Sequence, residues 1–246
     1  MNSPRRLARE TALKALYQAE MVGTDLEEAL NQVISETLLY PALESVARKF
    51  IKNSGCAEVL SGEVEDFIPD FSETISVKAL NEKEDIDLHI KHIIEKYFSG
   101  ITDNTDAGTA VKNLQSKTRS VLNKNKPVEE FSRQLIKAAD KNRKKIDSII
   151  ESLAQNWTLE RMSSIDRCIL RFAACELLFF PEIPVNASIN EAIELAKKFS
   201  AERSYEFVNG ILDRIRKEHK LVKNVPVAND KAKKNKKADS SQSAPA

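Results

Sequence analysis

The sequence predicts an all-α fold, a bundle of packed helices, and three observations carry that expectation. Among 246 residues there are only six glycines and eight prolines, roughly half the usual share of these turn-formers, so the elements between turns must be long. Apolar residues recur at three- and four-residue spacing through 1–39 and again from 128 onward. No stretch alternates with the period of two that a half-buried strand requires.

Ser3 offers an N-cap, Pro4 fits the first helical position, and Leu7, Leu13, Leu16 and Ala19 follow at helical spacing, which predicts a first helix over about 4–22. Gly23 can end it. Asp25 can cap a second helix whose buried face is Leu26, Ala29, Leu30, Val33 and Ile34. From about 40 to 127 the character changes: helical patches such as 42–52 and 85–98 are separated by Gly55, Gly62, Pro69, Gly100 and Gly108, as in an inserted segment. Charge within it is segregated. Residues 58–106 hold thirteen acids against four lysines, and 107–127 hold five basic residues and no acid. Such runs are either solvated helix faces or a second surface for RNA or protein.

From Val128, one long stripe of Phe131, Leu135, Ala138, Ala139, Ile146, Ile149, Ile150 and Leu153 ends near Trp157. Ser163 or Ser164 can cap the next helix, which is apolar nearly all round from Cys168 to Leu178 and is therefore enclosed by others; Pro181 and Pro184 stop it. Ser188 and Glu191 have capping-box spacing, and Asn186 is an equal candidate for the cap of a helix facing inward through Ile189, Ala192, Ile193, Ala196 and Phe199. A last helix starts near Ser204, with Val208, Ile211, Leu212 and Ile215 inward. Residues 223–246 carry lysines with too few apolar groups to offset the entropy of ordering, so a disordered basic tail is expected. The division is thus 1–39 with 128–222 as one helical domain, 40–127 as an insert, and 223–246 as a tail.

Composition excludes several classes. With glycines only at 23, 55, 62, 100, 108 and 210, neither a Gly-x-Gly-x-x-Gly fingerprint nor a Gly-x-x-x-x-Gly-Lys phosphate loop exists. A net charge of +1 points to no partner, so electrostatic arguments must be local. Cys56, Cys168 and Cys175 form no Cys-x-x-Cys pair, which fits a reducing, cytoplasmic setting, and Cys168 and Cys175 read as buried thiols. The first 22 residues lack a signal-peptide apolar run, and Arg171 and Glu176 interrupt the most apolar region well short of a membrane span. In a central helix those two charges need partners on neighbouring helices.

Local clusters remain. Arg5 and Arg9 lie one turn apart, so two guanidiniums on one face can fork onto neighbouring phosphates, with Arg6 and Lys14 close by. The alternative is a solvated face with Arg6–Glu10 and Glu10–Lys14 pairs. Tyr17 and Phe207 sit among polar neighbours and can stack on unpaired bases or pack at the core edge. Gly210 inside a helix implies a close backbone approach or a break after Asn209. Asp85, His89 and His92 share a helical face but lack a completing ligand cluster, so no metal or other cofactor is expected.

At this point the residues resemble a known family. Asn156-Trp157-Thr158-Leu159-Glu160-Arg161-Met162, Ile165-Asp166-Arg167-Cys168-Ile169-Leu170-Arg171, Ile183-Pro184-Val185-Asn186, Asn190-Glu191-Ala192-Ile193-Glu194-Leu195-Ala196-Lys197-Lys198-Phe199 and Phe207-Val208-Asn209-Gly210-Ile211-Leu212 look like the NusB transcription antitermination family. Arg5-Arg6-Leu7-Ala8-Arg9-Glu10 and Ala15-Leu16-Tyr17 match its start. The resemblance covers about 1–39 and 128–222. It departs from the family in the long 40–127 segment, in Glu206 where a basic residue is frequent and in Ser200 where glycine is frequent.

The resemblance implies a non-enzymatic, all-helical RNA-binding protein. Its partners would be boxA-type RNA of ribosomal RNA leaders, the ribosomal protein NusE and, through them, the transcribing RNA polymerase complex; self-association into a homodimer stays open. Arg5, Arg6 and Arg9 would anchor phosphates, Tyr17 and Phe207 would border the RNA, and Asp166 and Arg167 would help form the partner surface. The alternative is an RNA-binding or protein-interaction scaffold related to the helical domain fused to ribosomal RNA cytosine methyltransferases. That enzyme's catalytic part needs a cofactor-binding glycine loop, which this sequence lacks.

Overall fold

Helix α1, Pro4–Val22, begins where the Ser3 hydroxyl accepts a hydrogen bond from the Arg6 amide at 3.2 Å. It ends at Gly23, whose left-handed φ of 75° lets its N–H reach the Ala19 carbonyl. The computed structural model describes residues 3–53, 107–154 and 157–221. Asp25 caps α2, Leu26–Ile34, by accepting from the amides of Glu27 and Glu28 at 2.9 and 3.1 Å. A π-helical turn, Ser35–Leu39, then leads into α3, Tyr40–Asn53. Pro41 has no N–H to give the preceding turn, and a widened turn accommodates such a residue without ending the helix.

The basic stretch after 106 belongs to one long helix: α4, Ala107–Lys141, runs through Pro127 and past residue 128. The stripe expected as one element over 128–157 is two helices. Asn142 leaves helical geometry, its side-chain amide donates to the Ala138 carbonyl at 2.8 Å, and α5, Arg143–Leu153, restarts beyond it. After a 3-10 turn at Leu159–Arg161 come α6, Ser164–Phe179, α7, Val185–Phe199, and α8, Ser204–Glu218. Of the two candidate caps for α6, Ser163 holds the place, accepting from the Asp166 amide at 3.1 Å.

Helix α7 corrects both proposed caps: it starts at Val185 directly after Pro184, whose carbonyl takes the Ala187 and Ser188 amides. Proline's fixed φ admits the chain to the helix with no side-chain cap, leaving Ser188 free to point inward. Among the described residues there is no strand, and no helix is long and apolar enough to cross a membrane.

Helix α6 is the hub. Cys168, Ile169, Leu170, Phe172, Ala173, Ala174 and Cys175 are all at most 1% exposed, and the helix packs against α1, α4, α5, α7 and α8. Leucine- or phenylalanine-sized burial contributes about 1.5–3 kcal/mol per side chain, so this one helix anchors the bundle. Burial also pushes both thiols up to about 12, which keeps them protonated and inert. The fully buried members of the main core come from 8–39 and 128–215, whereas Leu43 and Val46 of α3 are buried outside that cluster.

The charges within α6 are paired, as burial demands. Glu176, 1% exposed, accepts from Nε and Nη2 of Arg9 at 2.8 and 2.7 Å and also from the Ser188 hydroxyl. Arg171 forks onto Asp147 at 2.7 and 3.0 Å and reaches Glu20. Gly210 meets neither expectation: it lies inside α8, exposed, with nothing within 4 Å of the place where a Cβ would stand. Asp85, His89 and His92, the 85–98 patch, Cys56 and the 223–246 tail lie outside the described residues.

Candidate nucleic-acid interface

Helix α1 has two faces. Ala8, Ala12, Leu13 and Ala15 are buried against the core, while Arg6, Glu10, Lys14, Tyr17 and Met21 follow one another at three- and four-residue spacing along the other side. The small alanines let α4 come close enough for the Ser132 hydroxyl to donate to the Ala8 carbonyl at 3.0 Å.

The three arginines separate. Arg5 is exposed, its guanidinium carbon 5.8 Å from the Phe131 ring centroid, so it is steadied by the ring yet open to a phosphate. Arg6 is partly exposed and donates to Glu191 on α7 at 2.8 Å. Arg9 is the correction. It is 3% exposed, its Nε and Nη2 donate to Glu176 and its guanidinium lies over the Phe131 ring, so it braces α1 against α6 and is not the open cation that the expectation takes it for. One turn of helix put Arg5 and Arg9 on the same side, but that side faces the bundle at Arg9 and clears it only at Arg5.

Glu10, the one acid along this line, is neutralised. Lys198 donates to it at 2.9 and 2.8 Å and Lys14 lies 3.3 Å away. Burial works against its ionisation, yet these two ammonium groups outweigh burial and hold its pKa below the ordinary value. Both lysine side chains stay open to solvent, 39% and 53% exposed. Tyr17, 38% exposed, and Met21 continue this line beyond Lys14.

Phe207 packs with Trp157, the two ring centroids 6.3 Å apart and tilted by 50°, and the Arg161 guanidinium lies 5.6 Å from the Trp157 ring. No ring contact joins Tyr17 to Phe207 among the described residues. Glu206, in a position where the resemblance leads one to expect a basic residue, pairs with Arg203 at 3.0 Å.

Asp166 and Arg167, expected on a partner surface, are tied into the bundle, Asp166 buried and Arg167 partly exposed. Asp166 is 7% exposed and accepts from the hydroxyls of Ser163, Ser200 and Ser204 at 2.7, 2.6 and 3.1 Å, joining the start of α6 to the α7–α8 connection. Ser200 thus supplies a bond that glycine could not make. Arg167 donates to Glu20 on α1 and to the carbonyls of Leu159 and Met162. Their polarity was legible in the sequence, but their inward direction depends on which helices surround α6. Lys198 and Trp157 are the surface residues that sequence reasoning missed. Lys198 follows a lysine at the end of a helix and Trp157 ends an apolar stripe, so neither position distinguishes itself by pattern.

Fold and site together define an all-α bundle whose first helix presents exposed cations and an aromatic to solvent. The NusB family model matches residues 91–217, and the chain belongs to the NusB family. Its relatives include the transcription antitermination protein NusB of Elusimicrobium minutum, 55% identical over 92 residues, which are 37% of this chain and 66% of that protein. The protein of the same name from Thermotoga petrophila is 48% identical over 94 residues, 38% of this chain and 66% of that one. The matched part of the chain therefore spans 66% of the length of these relatives. Among solved structures, T. maritima NusB superposes with a TM-score of 0.50 at 27% identity, covering 89% of this chain and 94% of that one.

Proposed function

We propose that this protein is a transcription antitermination factor of the cytoplasm that binds boxA-type RNA of ribosomal RNA leaders together with the ribosomal protein NusE. One observation carries the reading: a chain of the NusB family, whose relatives bear the name of antitermination proteins, exposes Arg5, Arg6, Lys14, Lys198 and Tyr17 along α1 and its α7 neighbour. The cations meet phosphates and Tyr17 stacks on an unpaired base, the combination that single-stranded RNA recognition uses. Phe207 and Trp157 form a second stacking place. No covalent step is involved: the bound pair acts on the transcribing RNA polymerase complex by contact.

The test is to purify the full chain with NusE from cells and sequence the RNA that accompanies them. Enrichment of leader RNA containing boxA-type sequence is expected. Recovery of neither NusE nor such RNA would defeat the reading, and recovery of protein partners without RNA would favour an interaction scaffold.

A further inference from the structure

Helices α1 and α4 run side by side in the same direction: Ser132 meets the Ala8 carbonyl, Arg5 lies over the Phe131 ring, and further along Ala19 and Glu20 line one cleft with Ala139 and Asp140. The part of α4 before about residue 127 therefore extends past the start of α1 at Pro4 and packs inward on α3 and on the π-helical turn before it; Thr118 is buried, and Asn125 donates to the Leu38 carbonyl of that turn at 3.1 Å. Its outer side holds Lys112, Ser116, Lys117, Arg119, Ser120, Asn123 and Lys124, all exposed. No acid occurs anywhere in 107–127.

Lys117, Lys124 and Phe131 are spaced by seven residues, so they lie nearly on one line of the helix, about 10.5 Å apart in succession. Arg5 rests on the last of them. The line of cations that begins with Arg5 thus continues along α4 at Lys124 and Lys117, while Lys112, five residues before Lys117, stands about 140° round the exposed side, next to Ser116 and Asn123. No ion pair engages these three lysines among the described residues, whereas Lys126 lies 3.9 Å from Glu130. Hydroxyl and amide groups of Ser116, Ser120 and Asn123 stand beside the line.

Resting on the RNA-binding reading above, we propose that this outer side of α4 is a second phosphate-binding track. It would hold the stretch of single-stranded RNA that runs beyond the segment gripped at α1. A protein partner fits less well, because among the described residues this side presents no large apolar anchor of the kind that protein interfaces require; the exposed large apolar residues among them are Tyr17, Met21, Val22 and Trp157.

The test compares the full chain, with NusE present, with the variant Lys112→Gln, Lys117→Gln and Lys124→Gln. Glutamine keeps helix propensity and these side chains are exposed, so circular dichroism should be unchanged. Two probes are used in salt titrations: a short boxA-type RNA, and the same RNA extended by a uridine tract at each end. Each phosphate contact contributes about 0.7 to the slope of log affinity against log salt on single strands, so the variant should lose about 2 on the extended probe and nothing on the short one. An unchanged slope on the extended probe, or an equal loss on both, overturns the track while leaving the α1 reading intact. Failure of the unmodified chain to bind either probe would instead overturn the RNA reading, and the track with it.

Discussion

Changing Arg9 to alanine tests whether this residue is a brace or an RNA contact. Arg9 is 3% exposed and Glu176 1%, and the pair shares two hydrogen bonds of 2.8 and 2.7 Å. Removing the guanidinium leaves a carboxylate deep in the bundle with only the Ser188 hydroxyl to hold it. Breaking one side of a buried pair costs about 3–5 kcal/mol. At roughly 2–4 °C per kcal/mol for a domain of this size, Tm should fall by roughly 6–20 °C in a thermal unfolding scan followed by circular dichroism. The complementary experiment replaces the whole group by apolar side chains, Arg9→Met with Glu176→Leu and Ser188→Ala. With no charge left to desolvate, stability should return to near that of the unmodified protein. A loss below about 1 kcal/mol for Arg9→Ala, or a triple variant no more stable than the single one, would refute the buried-pair reasoning.

Glu20 lies between Arg167 and Arg171; burial opposes its ionisation, but the hydrogen bond from Arg167 and both positive charges outweigh it and lower its pKa. Its contribution is present above the unfolded value near 4.5 and is lost as pH falls through the lower folded value, so the stability gap between the protein and Glu20→Gln should narrow in acid denaturation below pH 4.5; a constant gap would contradict this. Gly23 and Gly210 should respond oppositely to alanine in urea unfolding. Gly210→Ala, in open space on a helix, should stabilise by about 1 kcal/mol, and Gly23→Ala, at φ 75°, should destabilise by roughly 1–2 kcal/mol. Replacing 40–127 with a short polar loop should leave cooperative unfolding of the bundle intact, since the 3.1 Å bond from Asn125 to Leu38 shows that the two cut ends lie close enough for a short loop and the core's buried members lie in 8–39 and 128–215. Loss of cooperativity would place the insert inside the main folding unit.

The fold was legible wherever local chemistry decides it. Ser3, Pro4, Gly23, Asp25 and Ser163 set helix ends by caps and φ preference, and these depend on nothing distant. The break at Asn142 was not legible, because the apolar stripe continues in phase across it and only a side-chain bond to Ala138 marks the turn. The candidate site divided in the same way. Exposure of Arg5 and Tyr17 follows from the amphipathic pattern of α1, and the need of Glu176 and Arg171 for partners follows from their apolar surroundings. Which arginine answers Glu176, and which serines answer Asp166, is decided by helices distant in sequence. Arg9 and Arg167 therefore read as surface residues until the bundle is assembled around them.

The central claim is that the exposed cations of α1 grip single-stranded RNA. Its most direct test is the salt dependence of boxA-type RNA binding, with NusE present, for the unmodified protein and for Arg5→Ala with Arg6→Ala. Alanine preserves the helix, and two lost phosphate contacts should flatten the slope of log affinity against log salt by about 1.4. Glu10→Ala, which removes an acid from the same line, should not weaken binding. A slope unchanged in the double variant would contradict the account and leave α1 a solvated helix face.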